Sequence, residues 1–409
     1  MRPSRRGFLA GAAGAGLAPA TQSRASSLPP LASSTRLTAS LQQTPSLTPW
    51  FAGLADRLLA RCNVVCVGDS ITEGQHAYGP PSTGFENRWL ARLRDMLRVR
   101  YPTQGLVGGG RGFIGAASTG ELSFTWPTTI TGSPPYGVAG PKGKFVQLNG
   151  SGQSITFSLV GDSADIMWVQ TPFGGTFSWS VDGGPATHVS TNASSTVDGK
   201  LTHVPLGSAG SHSLVLSWVS GSSDIDGVIE NNGDYTSGIG VHDAGHYGWQ
   251  ASNWVSALNG GAASGPAAAI AALAPSAVII TLGFNDQYSG VAPSDFQTRL
   301  QTIIADLQAR LVKPYPAVIL NMLPARINQA KWAYPWSQYV AAAGNVSAAD
   351  TSGPGGSSVV SVMDFSSAAD MPGADADVYG FWQTGDLVHP SIRGHQMIAD
   401  CLTAFLSQG

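Results

Sequence analysis

The sequence predicts an α/β protein, a parallel sheet with helices on both faces, interrupted by a separate antiparallel β-sandwich. Three observations carry this reading. Short apolar runs ending in glycine or polar turns alternate with helical patterns near the start and through the second half of the chain, the mark of parallel strands joined by crossover helices. Between these regions, 144–220 alternates with period two and shows no helical periodicity. The strand-and-helix alternation resumes near residue 238, so the sandwich is an insertion into the α/β domain.

The first strand is Val64-Val65-Cys66-Val67, apolar without alternation and so buried on both faces. A helical pattern over 51–61 precedes it, with Phe51, Leu54, Leu58 and Leu59 on one face. The turn Gly68-Asp69-Ser70-Ile71-Thr72-Glu73-Gly74 follows, and 85–100 then predicts an amphipathic helix with Trp89, Leu93, Met96 and Leu97 inward and its arginines outward. Gly108-Gly109-Gly110-Arg111-Gly112 is a glycine loop, not a phosphate loop. It lacks the Gly-Lys-Ser/Thr ending, and no helix follows it.

In the insertion, Ile155, Phe157 and Leu159 alternate with polar residues, as do Phe177, Trp179 and Val181, and Leu214, Leu216 and Trp218. Asp182-Gly183-Gly184 is a tight hairpin signal between two such runs. The pattern implies roughly eight short strands in an antiparallel, jelly-roll-like β-sandwich. After it come a strand at 238–243, a helix bearing Trp254, Val255 and Leu258, and a strand at 277–282 ending in Gly283-Phe284-Asn285-Asp286. A helix with Phe296, Leu300, Ile303, Ile304, Leu307 and Leu311 on one face leads to strands at 317–322 and 359–363, and the last helix carries Ile398, Cys401, Leu402 and Phe405. The expected organisation is a twin-arginine signal peptide (1–20), a flexible leader (21–48), the α/β domain (49–137 and 230–409) and the inserted sandwich (138–229).

The address is read from Ser4-Arg5-Arg6-Gly7-Phe8-Leu9, an apolar small-residue run to Leu17, and Ala18-Pro19-Ala20 as a cleavage site. This predicts export of a folded protein. No other stretch approaches the ~20 apolar residues that a membrane span needs. A net charge of −3 gives no reason to expect nucleic acid or an anionic membrane as partner. Three cysteines do not make a disulfide framework. Cys66 and Cys401 read as small core hydrophobes, and a Cys62–Cys401 bridge, although compatible with an oxidising compartment, is not expected. Oligomeric state is left open.

Four strand or loop ends converge on one crevice. The first offers Ser70, the second Gly248, the third Asn285 with Asp286, and the loop before the last helix offers Asp386 and His389. Acyl transfer needs this set. A serine hydroxyl is a poor nucleophile until a base takes its proton, and histidine suits that task at neutral pH. Asp386, three residues from His389, is placed to fix the imidazole tautomer. The backbone N–H groups of Ser70 and Gly248 and the Asn285 amide would serve as oxyanion donors, each worth roughly 3–4 kcal/mol. Taken singly, the residues have ordinary readings: Asn285 as a turn cap, Asp386 and His389 as caps of the last helix, Asp69 as the holder of the serine turn. His242, His246 and His395 read as structural. His188, His203 and His212 lie in the insertion at spacings unlike metal ligands, so neither metal nor cofactor is expected. Trp332, Tyr334, Trp336 and Trp382 either line a sugar or acyl subsite or pack beneath a long loop. A Gly-x-Ser-x-Gly elbow is missing, because Thr72 stands two residues after Ser70.

In these blocks the chain resembles the SGNH hydrolases, or GDSL-type esterases. Gly68 to Gly74 looks like the first block with Ser70 as nucleophile, and Gly248 in Asp243-Ala244-Gly245-His246-Tyr247-Gly248 like the second, with Gly245 as the alternative. Gly283 to Asp286 looks like the third, and Asp386, His389, Pro390, Gly394 and His395 like the last. The resemblance covers roughly 50–135 and 230–409. It implies a five-stranded flavodoxin-like three-layer α/β/α domain, a serine ester hydrolase working through an acyl-enzyme, and no cofactor. The insertion looks like the carbohydrate-binding modules that accompany some members, which tilts the substrate toward O-acetyl or similar esters on a polysaccharide. A secreted lipase or lysophospholipase of the same family is the alternative enzyme, and an O-acetyltransferase is disfavoured in a soluble exported chain with no visible acyl-donor apparatus. A glycan-binding protein on a silent scaffold is the alternative of another class.

Overall fold

The computed structural model describes residues 44–78, 84–103, 109–120, 122–324, 332–365, 379–386 and 388–407. The signal-peptide reading and most of the leader fall outside them. The leader's last residues do not: Thr44–Leu47 is a turn of 3-10 helix that leads directly into α1 (Thr48–Ala55). Trp50 anchors α1, fully buried and donating its indole N–H to the Leu406 carbonyl at 2.8 Å. The helix stops there, earlier than expected, because the chain must turn to enter the first strand. Leu58 and Leu59 therefore leave the apolar face and are 52% and 86% exposed.

Strand β1 (Arg61–Gly68) leads into α2 (Ser70–Glu73), a single turn, and then α3 (Trp89–Arg100). Nine strands form one antiparallel sheet: β2 (Gly112–Gly115), β3 (Thr128–Thr131), β4 (Tyr136–Gly137), β5 (Phe145–Leu148), β6 (Ser154–Gln170), β7 (Thr176–Val181), β8 (Thr187–Ser190), β9 (Val197–Ser220) and β10 (Ser223–Asn231). The α/β domain resumes with β11 (Gly238–Gly245), α4 (Ala251–Leu258), α5 (Pro266–Ala272), β12 (Pro275–Thr281), α6 (Phe284–Tyr288) and α7 (Pro293–Gln308). It closes with β13 (Ala317–Met322), α8 (Trp336–Ala349), β14 (Val360–Asp364) and α9 (Ile392–Phe405).

The five strands of the α/β domain are parallel in the order β11-β1-β12-β13-β14. Counted within this domain the order is 2-1-3-4-5, the flavodoxin-like arrangement, whose ligand crevice opens where the connections diverge on either side of the first strand. The carboxyl ends of β11, β1 and β12 meet there.

The insertion is a curled sheet rather than eight short strands. β6 and β9 are 17 and 24 residues long and pair along most of their length, with a register shift between Gly161 and Ser163. One half of β6 pairs with β3 and the other with β10, so the two long strands pass from one layer to the next. Ile155, Phe157, Leu159, Phe177, Leu214 and Leu216 point inward as expected and are at most 1% exposed, whereas Trp179, Val181 and Trp218 are partly buried. The sheet starts at Gly112, ahead of the obvious alternation, because β2 pairs with β10 at the junction with the α/β domain. The two cores interlock across that junction. Phe113, Met167 and Ile229 of the insertion belong to the α/β core, and Ala77 and Phe85 belong to the core of the sandwich.

The arginines of α3 do not all point outward. Arg94 is 6% exposed and bonds Glu86 and Asp95, and Arg98 bonds Asp234 and the Ile239 carbonyl. Arg88, just before the helix, is 1% exposed and reaches Asp243 Oδ2 at 2.8 Å. Lys142, also 1% exposed, lies 2.8 Å from the same oxygen and 3.2 Å from Glu73 Oε1. Periodicity cannot foresee this, because the carboxylate partners come from other elements. The cysteines are buried and free, and no helix among the described residues is long and apolar enough to cross a membrane.

Two predictions follow from these buried charges. Lys142→Met takes the ammonium from buried Glu73 and leaves Asp243 with Arg88 alone, and should cost about 3–5 kcal/mol in urea unfolding, with part recovered in the Lys142→Met/Glu73→Gln double variant. In the sandwich, Asp198 and Asp226 form a buried carboxyl pair. Burial holds Asp226 well above the usual carboxylate range and raises Asp198 to about 6. A folded state that keeps a proton its unfolded chain releases loses stability as pH rises from about 4 through the raised values. Asp226→Asn keeps a donor toward Asp198 and removes that loss, so its melting-temperature gain over wild type should grow from pH 5 to pH 8.

Candidate active site

Ser70 is the first residue of α2, and three neighbours shape its turn. A Cβ on Gly68 would lie 2.1 Å from Thr72 Oγ1 and 2.8 Å from the Thr281 carbonyl oxygen, so only glycine lets the turn close against β12. Asp69 caps the helix by accepting the Ile71 N–H at 2.9 Å, the structural task expected of it. Glu73, at the end of the turn and fully buried, accepts the Thr119 N–H at 2.7 Å and the Thr119 hydroxyl.

His389 meets Ser70 from 319 residues away, its Nε2 2.9 Å from Ser70 Oγ. Its Nδ1 is 2.7 Å from Asp386 Oδ2. An acceptor-only carboxylate at Nδ1 places the ring proton there and leaves Nε2 free to accept the serine proton. The loop is held by its own backbone: Asp386 N–H donates to the Gln383 carbonyl, Gln383 N–H to the His389 carbonyl, and Val388 N–H to Asp386 Oδ1. Neither residue caps the last helix. Ser391 does, accepting the Gly394 N–H at 3.1 Å. Burial pushes the Asp386 carboxyl up, but its hydrogen bonds and charge interactions with His389 and His76 prevail and hold it below the ordinary carboxylate value.

The residues expected to serve as oxyanion donors follow the ends of β11 and β12. Gly245 and Gly248 differ physically. A Cβ on Gly245 would sit 2.5 Å from the Glu73 backbone nitrogen, so this glycine lets β11 pack on the serine turn. Gly248 has φ +74° and open space around a Cβ position, and it is exposed between Tyr247 and Trp249. Asn285, the second residue of α6, donates its side-chain amide to the Trp249 carbonyl at 2.9 Å, which places that amide beside the Gly248 turn. Asp286 is fully buried, accepts the Ala251 N–H at 3.1 Å and pairs with Arg299 at 3.3 Å. It ties α6 to the start of α4.

Other expectations sort cleanly. Trp336 and Trp382 are each 3% exposed and pack on Phe284, so they are core residues and not a subsite. Trp332 packs on the exposed Tyr288, and the Tyr334 carbonyl accepts from Gln287. His395 is fully buried between the Trp89 N–H and the Gln75 carbonyl, and burial lowers it to about 3. His246 stacks on Trp249 and donates to the Lys142 carbonyl, and burial lowers it to about 4. His242 is buried and held neutral.

Sequence reasoning missed His76, whose Nε2 contacts the same Asp386 oxygen that His389 uses. His76, Asp386 and His389 bring three potential ligand atoms within 4.8 Å of one another. Those atoms are already engaged with each other, and a cation between them would displace the bonds that connect Asp386 to both rings. The arrangement is a hydrogen-bonded network. It also missed Thr119, which bonds Glu73 and accepts the Tyr247 N–H at 2.7 Å, so a loop of the insertion braces the oxyanion turn. The Tyr247 ring lies 6.4 Å from the His389 ring.

Residues 230–397 match the family model described as the GDSL-like Lipase/Acylhydrolase family. No curated protein sequence matches the chain. Among solved structures, the chain is similar over 90% of its length to 95% of a chain described as "Peptidoglycan O-acetylesterase in action, 5 min", at 13% identity and a TM-score of 0.59. That likeness spans the α/β domain and the insertion together and concerns the fold. A family two carbohydrate esterase from Clostridium thermocellum in complex with cellohexaose is similar over 68% of this chain and 97% of its own, at 16% identity and a TM-score of 0.28. One from Corynascus thermopiles (Myceliophthora fergusii), carrying a carbohydrate-binding domain, is similar over 67% and 98%, at 16% identity and a TM-score of 0.32. At those scores neither bears further on this chain. The family match thus covers the second part of the α/β domain, and the solved structure shares the fold of the whole.

Asn285 supplies the test of the oxyanion side. Asn285→Ala should lower kcat on an aryl acetate about 10²–10³-fold with little change in KM, the loss expected of a donor that serves the oxyanion in the transition state.

Proposed function

We propose that this protein is exported and removes O-acetyl or similar short acyl groups from a polysaccharide through a serine acyl-enzyme. The observation that carries the chemistry is the unbroken hydrogen-bonded line from Ser70 Oγ through both nitrogens of His389 to Asp386. Ser70 Oγ attacks the ester carbonyl while His389 Nε2 takes its proton, and Asp386 steadies the imidazolium. The N–H groups of Ser70 and Gly248 and the Asn285 amide receive the oxyanion. Collapse expels the sugar hydroxyl, protonated by His389. Water, activated by the same base, then releases the acid and restores the serine.

The surroundings favour a polar polymer. A cleft of about 350 Å³ lined by Ser118, Thr119, Gly120, Trp126, Tyr136 and Lys144 lies on the insertion. It borders Tyr247, since a Cβ on Gly120 would touch that ring at 2.3 Å. A groove with aromatic faces, hydroxyls and one ammonium suits a sugar chain leading to the crevice. The solved peptidoglycan O-acetylesterase with the same overall fold agrees with an ester on a glycan. Export rests on the Ser4 to Ala20 pattern.

The test is a panel of aryl esters from acetate to palmitate alongside an acetylated polysaccharide, with Ser70→Ala as control. Acetate should be the fastest aryl ester, acetic acid should be released from the polymer, and Ser70→Ala should lose at least about 10⁴-fold in kcat. Rates rising with chain length would instead identify a lipase. A wild type that neither hydrolyses any ester nor reacts with a fluorophosphonate would leave a silent, glycan-binding scaffold.

A further inference from the structure

We propose that His76 is a positioning residue of the active site, clamping the carboxylate of Asp386 so that it holds His389 toward Ser70. This rests on the serine-esterase reading above and adds a residue to it.

The bonding pattern defines the ring's state. Ser123 Oγ lies 3.1 Å from His76 Nδ1, and His76 Nε2 contacts Asp386 Oδ2, the oxygen that also receives His389 Nδ1–H. Asp386 is acceptor-only, so Nε2 carries the proton and donates. Nδ1 pairs with the Ser123 hydroxyl. A continuous line of bonds thus runs Ser123–His76–Asp386–His389–Ser70, from the insertion to the nucleophile. The titratable groups packed around the His76 ring are Asp386, His389 at 5.4 Å between centroids, and Tyr78 at 5.0 Å.

Two features distinguish this from a casual surface contact. His76 has φ +63°, a left-handed conformation that few non-glycine residues adopt and that costs free energy. The strain is held by the turn that begins with the nucleophile: Gln75 N–H donates to the Ser70 carbonyl, Ala77 N–H to the Gly74 carbonyl, and the Gln75 carbonyl accepts from buried His395. Nucleophile and clamp therefore belong to one rigid unit. Asp386 sits on a loop outside any helix or strand, where the Val388 N–H holds Oδ1 and the two rings meet at Oδ2. Both histidines draw on one oxygen, so each limits what the other receives.

The consequences have opposite signs. Without His76, Asp386 is less well placed, and turnover falls. The carboxylate is also no longer shared, so the His389 imidazolium is better stabilised and the acid limb of kcat/KM moves to higher pH. His76→Asn is the variant of choice, since asparagine tolerates φ > 0 and is too short to reach Asp386. On an aryl acetate its plateau kcat/KM should fall about 10–100-fold, the scale of a misplaced catalytic group, with the acid limb shifted upward. His76→Gln, which can donate to Asp386 and accept from Ser123, should restore most of the rate and the limb. Ser123→Ala should fall between. A wild-type rate and limb in His76→Asn overturns the proposal. So does a rate loss without a limb shift that His76→Gln fails to rescue, which would mark His76 as merely structural. A wild type inert toward every ester would take down the esterase reading itself, whereas an active wild type with an indifferent His76 overturns this inference alone.

Discussion

Four charges shut away from water decide how this protein is assembled. Glu73, Arg88, Lys142 and Asp243 are each at most 1% exposed, and they bond one another in a neutral set. Removing ions from water costs several kcal/mol apiece, so none of the four is tolerable without its partners. The partners come from the serine turn, the approach to α3, the insertion and β11. The placement seen here pairs all four. Trp126 from the insertion adds an aromatic face 4.9 Å from Lys142 Nζ, and Phe85 lies 3.5 Å from the Arg88 guanidinium, which suits cations that have lost their water.

The site inherits its geometry from this arrangement. Glu73 ends the turn that begins with Ser70, so the charge set holds that turn from behind. Asp243 uses its other oxygen to accept the Gly245 N–H at 2.8 Å, which fixes the end of β11 just before the Gly248 turn. Thr119 links the two by bonding Glu73 on one side and the Tyr247 N–H on the other. The insertion is thus part of the framework that sets the distance between Ser70 and the Gly248 turn.

What was legible in the sequence follows a physical rule. Residues that face apolar surroundings or perform chemistry are constrained in type, so they show. The fully apolar strand before Ser70, the helix face of Phe296, Leu300 and Ile303, and the alternation of Ile155, Phe157 and Leu159 all stand as read. Ser70, His389 and Asp386, which the structure joins in one hydrogen-bonded line, were legible as a set because the proposed acyl transfer needs those three groups. Leu58 and Leu59 misled because a periodic pattern does not say where a helix must stop. Arg88 and Arg94 misled because a charged side chain reads as outward unless its partner is known, and those partners lie in other elements. His76 offered no signal, since one histidine after a turn carries no period and no motif.

By itself the sequence determined the two architectures, their order along the chain and the residue types of the proposed reaction, since burial patterns and reactive groups are local in the chain. The tertiary structure alone decided which glycine opens onto the crevice, that the second half of the serine block is a buried ionic anchor, and that a second histidine shares the carboxylate of the first. Those are relations between residues tens to hundreds of positions apart. Coulombic and hydrogen-bonding forces act across space at a few ångströms, and only the folded chain brings such residues within that range.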